Sequence, residues 1–248
     1  MRAAVIQSNY LPWKGYFDVI QAVDLFVFYD DTQYTTRDWR NRNLIKTAHG
    51  PLWLTVPVMA GSRDLVIEQV EIAGREWAAN HWKSLQHHYA AAPYLKPYRE
   101  FFQHVYLERE WTHLSELNQF LIMHIAREFL GIQTRFMTST ALAAEGRQQA
   151  RLLDVLGKVG ATTYLSGPAA RAYIDPAGFE AAGVALEYMD YGGYPEYAQF
   201  HPPFAHGMTV LDLLFHAGPA APELIWGWRE LRQRIPRAAQ PLVIEDAR

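Results

Sequence analysis

Between residues 5 and 46, two apolar runs each end in a cluster of polar and aromatic side chains. Residues 3–6 give way to Gln7-Ser8-Asn9-Tyr10-Leu11-Pro12-Trp13-Lys14-Gly15-Tyr16. Residues 25–29 give way to Asp30-Asp31, then Gln33, then Asp38-Trp39-Arg40-Asn41-Arg42-Asn43. Arg37, Arg40, Arg42 and Lys46 fall in one short stretch. Guanidinium forks grip phosphate or carboxylate bidentately, and lysine adds a point charge. On an extended segment Arg40 and Arg42 would face the same way and suit one anionic group. The competing reading is a solvated loop with ion pairs to Asp30, Asp31 or Asp38, each worth about 0–1 kcal/mol.

Asp30 closes the second apolar run, where a carboxylate can orient an amine, bind a hydroxyl or hold Mg²⁺. Neighbours on a strand point to opposite faces, so of Asp30 and Asp31 the first is expected in the site; capping a turn is the alternative. Gln7, Asn9 and Tyr10 are neutral donors and acceptors, suited to reading a sugar or an amide. Trp13, Tyr16, Gln33, Trp39 and Asn41 join them as expected substrate contacts.

Further along, His81 matches proton abstraction at neutral pH, although a satisfied core histidine is the more ordinary role. His81 and His88 share a helical face but lie too far apart to chelate one ion, so no metal ligand set is assigned. Ser166-Gly167 ends a β-rich run, where backbone donors could hold an oxyanion; no Gly-x-Ser-x-Gly elbow surrounds it. Tyr191 and Tyr197 belong to a tyrosine-rich stretch that could platform a sugar or flat acyl group, or simply pack on a sheet. Asp212 and His216, four apart, face together if their segment is helical.

The elements that must position these groups follow from periodicity. Strands are expected near 3–7, 25–29, 52–58, 65–72, 134–139, 162–165 and 184–189. Residues 75–131 read as helical, interrupted at Pro93 and Pro97, with a second helix over about 114–130 closed by Gly131. Another helix is expected over 147–159, and 209–215 is either helix or strand. Alternating β and α segments predict an α/β fold: a Rossmann-like parallel or mixed sheet with a helical insertion in the middle third. The opening strand–loop–helix–strand order suggests a nucleotidylyl-transferase-like subclass. That subclass uses histidines in its first loop, and residues 11–16 contain none, so its chemistry is not carried over. Residues 1–235 are expected to form one domain and 236–248 a C-terminal tail.

The chain has 248 residues, half of them apolar and 14% aromatic, enough for a sizeable core. A net charge of −3 argues against a nucleic-acid partner. With no cysteine there is no disulfide framework, thiolate metal site or cysteine nucleophile. No signal peptide is legible, nor any apolar run near the ~18 residues that span a bilayer. A cytoplasmic protein without membrane insertion is expected. The Walker, GxGxxG, HExxH and EF-hand patterns are missing too.

Several stretches together resemble the WbqC-like family: IQSNYLPWKGYFDVI, DLFVFYDDTQYTTRDWRNRNLIKT, PLWLTVPV, HWKSLQHHYAAAPY, TTYLSGPAARAY, YPEYAQFH and TVLDLLFHAG. The resemblance runs over about residues 2–218. Thr209 stands where the family pattern suggests serine, and His216 where it suggests asparagine. The resemblance implies a role in surface-polysaccharide (O-antigen) or specialised-metabolite biosynthesis, with acyl or aminoacyl transfer to an amino group, forming an amide. The expected acceptor is an amino sugar or related metabolite; the donor, an acyl or aminoacyl thioester, could come from an acyl or peptidyl carrier protein. In that scheme Arg40, Arg42 and Lys46 hold the donor, Asp30 or Asp212–His216 deprotonates the amine, and Ser166-Gly167 stabilises an oxyanion. The alternatives are a nucleotidyltransferase-like enzyme using ATP or CTP with Mg²⁺, and a non-catalytic binding or scaffold protein.

Overall fold

Leu25-Phe26-Val27-Phe28 is apolar on both sides of its pleat, the pattern of a strand covered on both faces. It forms strand β2 (Leu25–Phe28), buried throughout. The computed structural model describes residues 1–229; the expected tail at 236–248 and the end of the 1–235 unit lie outside the described residues. β1 (Arg2–Ile6), β2, β5 (Arg135–Thr138), β6 (Thr163–Ser166) and β7 (Ala185–Tyr188) form a parallel sheet in the order β5-β2-β1-β6-β7. β3 (Arg42–Thr47) and β4 (Gly50–Thr55) form a separate antiparallel hairpin. The chain is a Rossmann-like α/β fold.

Alternation along β1 and β2 divides the core. Ala4, Phe26 and Phe28 face a large cluster under α1 (Lys14–Gln21), α2 (Glu76–His88), α3 (Leu95–Gln103), α4 (Leu114–His124) and α7 (Val210–Ala217). Ala3, Val5, Leu25 and Val27 face a smaller one with Val155 and Leu156 of α5 (Gln148–Lys158) and Phe179 of α6 (Pro176–Ala181). Helices α2 to α4 are the helical insertion of the middle third.

Several local expectations change. Residues 65–72 form no strand. They carry a short 3₁₀ turn, Ile67–Gln69, held by single bridges from Gln33 to Val66, Val58 to Ile72 and Glu71 to His113. Scattered partners on three segments leave no continuous ladder to extend. The basic stretch is extended only from Arg42, where strand β3 begins; residues 39–41 form a turn. Pro97 does not interrupt a helix; it lies in the first turn of α3, where its missing N–H costs nothing. The ambiguous late segment is helix α7, with the Thr209 hydroxyl accepting from the Leu211 N–H at 3.4 Å.

Two devices set the path after β1. Leu11 is fully buried with φ 44°, in the left-handed region that L-residues rarely adopt. The Asn43 side-chain amide holds that turn by donating to the carbonyls of Tyr10 (3.2 Å) and Leu11 (2.8 Å). Trp13 then folds back over Gly15, where a Cβ would meet the indole at 2.3 Å. The glycine lets the indole cover the start of α1.

Phe26, fully buried in the larger cluster, meets Phe28 and Phe136 edge-on and Tyr16 at a tilt. Phe26→Ala is expected to lower the unfolding free energy by about 3–5 kcal/mol, read by urea denaturation. A loss under about 1 kcal/mol would contradict this packing.

Candidate functional site

β1 leads to β2 on one side, and the chain later crosses back from β5 to place β6 on its other side, so the strand order reverses at β1. This is the topological switch point of the sheet, where ligands of open α/β folds bind. β1 pairs with β2 over Ala3 to Ile6, and β6 with β7 over Thr163 to Ser166. Between β1 and β6 pairing covers only Arg2 with Thr163 and Ala3 with Tyr164. The carboxyl ends of the two strands part, and Gln7 and Gly167 lead away from the opening.

A polar wall follows β1. The Arg40 guanidinium donates to the amide oxygens of Gln7 and Asn9, and its Nε is buried with no protein acceptor. The Gln7 amide nitrogen donates to Thr32 Oγ1 at 3.0 Å, and the Tyr16 hydroxyl to the Gln7 carbonyl at 3.0 Å. Arg40 lies within electrostatic reach of Asp30 and Tyr16. Asp30 accepts from the Ser8 N–H at 2.7 Å and from Gln119 Nε2 at 2.8 Å. Burial pushes its carboxyl up, and these donors and Arg40 only partly counter that. Asp31 turns away to Arg151 and Ser139.

Aromatic rings make the opposite wall. Trp13 meets Tyr191 at 5.0 Å and Tyr194 at 6.0 Å between centroids. The Tyr191 hydroxyl stands 3.8 Å from where a Cβ on Gly167 would be. Burial, with Asp18 nearby, raises the Tyr191 phenol to about 12. The Ser166 hydroxyl shares a hydrogen bond with the Tyr164 phenol on the α5–α6 face, which leaves backbone, not hydroxyl, at the opening.

Beyond Trp13 lies an amine that sequence reasoning passed over. Lys14 is 2% exposed, and its Nζ has no hydrogen-bond partner among the described residues. It sits 5.0, 5.6 and 5.5 Å from the ring centroids of Tyr194, Tyr197 and Phe204. Burial lowers its pKa to about 8, against the opposing pull of Asp212 and Glu196.

Asp212 and His216 do face together, but not as an acid–base pair. Asp212 is fully buried and accepts from Tyr89 Oη (2.8 Å), Tyr197 Oη (2.5 Å) and Gln199 Nε2 (2.7 Å). His216 Nδ1 lies 2.7 Å from the Asp212 carbonyl but 3.8 Å from its carboxylate. The Phe200 N–H donates to Nε2 at 3.3 Å, so the ring is the Nδ1–H tautomer with both nitrogens engaged.

Other expected contacts scatter. Arg42 lies over Trp53 at 4.2 Å, and the anionic group near both Arg40 and Arg42 is the protein's own Asp38. The Lys46 ammonium ties down Gln199 and the Pro203 carbonyl. Asn41 donates to the Val56 carbonyl, Gln33 to the Arg63 carbonyl, and Trp39 tilts against Trp53 at the surface. Tyr10 bonds to His81 Nδ1 at 2.9 Å and to the Tyr106 hydroxyl at 2.6 Å inside the core. Ser8 and Gln119 were missed; Gln119 comes from distant α4 and carries no local signal. Lys14 lies within the Leu11–Tyr16 segment, but its burial is a tertiary fact.

Two surface clefts lie elsewhere. One of about 660 Å³ is lined by residues including Asp24, Gln133 and Arg135, and one of about 410 Å³ by residues including Phe179 and Leu186; neither contains an expected site residue. Among the described residues, no helix is long and apolar enough to cross a membrane.

A model of the WbqC-like protein family matches residues 7–224. A protein of Mycobacterium tuberculosis described as uncharacterized is 41% identical over 225 residues, covering 90% of this chain and 97% of its own. No solved structure matches the chain.

Burial lowers the His81 pKa from the ordinary 6.5 to about 4. A folded state that refuses this proton is most stable above pH 6.5 and loses that contribution as pH falls toward 4. The linkage amounts to about 3 kcal/mol between pH 7 and pH 4. His81→Gln should flatten the pH dependence of unfolding by about that amount. Parallel profiles for the two proteins would refute a buried neutral His81.

Proposed function

The chain belongs to the WbqC-like protein family, and on that premise we propose that it transfers an acyl or aminoacyl group to an amine, forming an amide. The observation that carries this reading is the parted end of β1 and β6, walled by neutral amides and an arginine on one side and by rings on the other. Arg40 has its fork fixed by Gln7 and Asn9. A guanidinium held in one orientation before binding spends little conformational entropy on gripping a donor phosphate or carboxylate. Trp13 and Tyr191 offer faces for an acyl group or sugar ring. Backbone at Gly167 is the candidate oxyanion contact.

The acceptor class is an amino sugar or related metabolite, and the donor is a thioester, free or on a carrier protein. The setting is cytoplasmic biosynthesis of surface polysaccharide or a specialised metabolite. This reading gives the donor grip to Arg40 because it stands beside Gln7 and Asn9 after β1, whereas Arg42 lies over Trp53 and Lys46 is tied to Gln199 and Pro203. A nucleotidyltransferase reading finds less support, since the first loop lacks the histidines that chemistry uses.

A thermal-shift panel tests this reading. It spans acyl and aminoacyl thioesters, nucleotide-activated amino sugars, ATP and CTP, each with and without Mg²⁺. A thioester at ~100 times its dissociation constant should stabilise the protein by about 2.7 kcal/mol, or several degrees. Arg40→Ala should remain folded and lose at least tenfold in donor affinity. Undiminished donor affinity in folded Arg40→Ala would remove the grip assignment. Stabilisation by ATP or CTP alone, with pyrophosphate release, would replace acyl transfer with nucleotidyl transfer.

A further inference from the structure

A primary amine cut off from water is costly to keep charged, and proteins seldom leave one without a hydrogen-bond acceptor unless it is used. The Lys14 Nζ is in that position. Its relief comes from three ring faces and the through-space charge of Glu196 and Asp212, while the buried hydrogen-bonding groups nearby are already committed. Both Asp212 oxygens accept from Tyr89, Tyr197 and Gln199, and His216 has both ring nitrogens engaged. Asp18 is held bidentately by Arg229 at 2.8 and 2.6 Å and accepts from Tyr194 at 2.5 Å. Lys14 therefore faces ring surfaces, with Asp212, Glu196 and His206 as its titratable electrostatic neighbours.

Its roof is a single stretch. Tyr194, Tyr197, Phe204 and His206 all come from residues 189–208, which contain no helix or strand. Irregular loops of this length inside a folded domain are commonly lids or binding loops. The stretch is pinned at Tyr194 to Asp18, at Tyr197 and Gln199 to Asp212, and at Pro203 to Lys46. Trp13, the neighbour of Lys14 in sequence, touches both Tyr191 and Tyr194, so the rings around Lys14 adjoin the ring wall at the parted strand ends.

We propose that Lys14 is the proton-transfer residue of the amide-forming step, acting beneath the stretch of residues 189–208. This rests on the acyl-transfer reading. The acceptor's free amine attacks the donor carbonyl, a C–N bond forms, and the bond from the carbonyl carbon to the leaving sulfur or oxygen breaks. Neutral Lys14 takes the proton shed by the nitrogen and returns it to the leaving group, so no oxidant or reductant is needed. A lysine poised near neutrality suits both halves of that exchange. The late departures of the chain border the same stretch: Thr209 caps α7, and His216 packs against Tyr197 and Phe200. They shape the wall, not the proton path.

The test begins on the resting protein. With ¹³C-labelled lysine, the five side chains (Lys14, Lys46, Lys83, Lys96 and Lys158) give separate Cε titrations, and Lys14→Met assigns the signal of interest. The expected result is one midpoint near 8, absent from the variant. In the functional arm, Lys14→Met and Lys14→Arg should bind the thioester donor within about twofold of wild type and lose 10²–10⁴-fold in turnover. Arginine keeps the charge but cannot give up its proton. An active Lys14→Arg, or a Lys14 midpoint of 10 or above, would overturn the proposal and leave a structural cation. Wild-type protein that binds and turns over no acyl donor would defeat the acyl-transfer reading and this proton role with it. The Lys14 midpoint separates that case from failure of the proton role alone.

Discussion

Pairing between β1 and β6 stops after two residues, and the described structure is arranged around that early ending. β1 sits at the centre of the sheet, and the strand order reverses there. Past Ala3 and Tyr164 the two strands share no ladder, so the backbone there must find other partners. The chain meets this with side chains and with the segments it sends across the opening. Tyr16 bonds the Gln7 carbonyl, and Asn43 clamps the Leu11 turn beyond it.

Around this opening, buried carboxylates act as fasteners. Asp30 joins the end of β2 to the β1 loop and α4; Asp212 joins α7 to Tyr89 and the 189–208 stretch; Asp18 joins α1 to Tyr194 and Arg229. A hydrogen bond to a charged group contributes about 1.5–3 kcal/mol, and an orphaned buried charge costs several more. Each carboxylate therefore resists losing any one partner, and the walls are rigid where substrates would press on them. Carboxylates so fully occupied make poor general bases. Lys14 differs because its neighbours are rings and through-space charges.

Part of this was readable from the sequence. The fully buried β2 declared itself as an unbroken apolar run, and the polar clusters after β1 and β2 marked the carboxyl edge of the sheet. Asp212 and His216 fell on one helical face, as their spacing said. What spacing could not reveal was occupancy. Arg40 and Arg42, one residue apart, diverge because the chain turns at Arg40 and enters β3 at Arg42. The apolar, partly β-branched run Leu65-Val66-Ile67 suggests a strand, but only isolated bridges form, since no long neighbour runs beside it. Gln119 reaches Asp30 from 89 residues away. Lys14 was in plain view inside the first loop, yet its meaning depends on rings near residue 200 that no local pattern links to it.

The central claim is that ligand binds at the carboxyl edge of the sheet, between the walls of Arg40 and Tyr191. Hydrogen–deuterium exchange with a saturating stabilising ligand tests it most directly. The account predicts new protection in peptides covering residues 7–16, 38–42 and 189–208. Protection confined to residues 21–24 and 131–135, which line the cleft at the opposite edge, would contradict it.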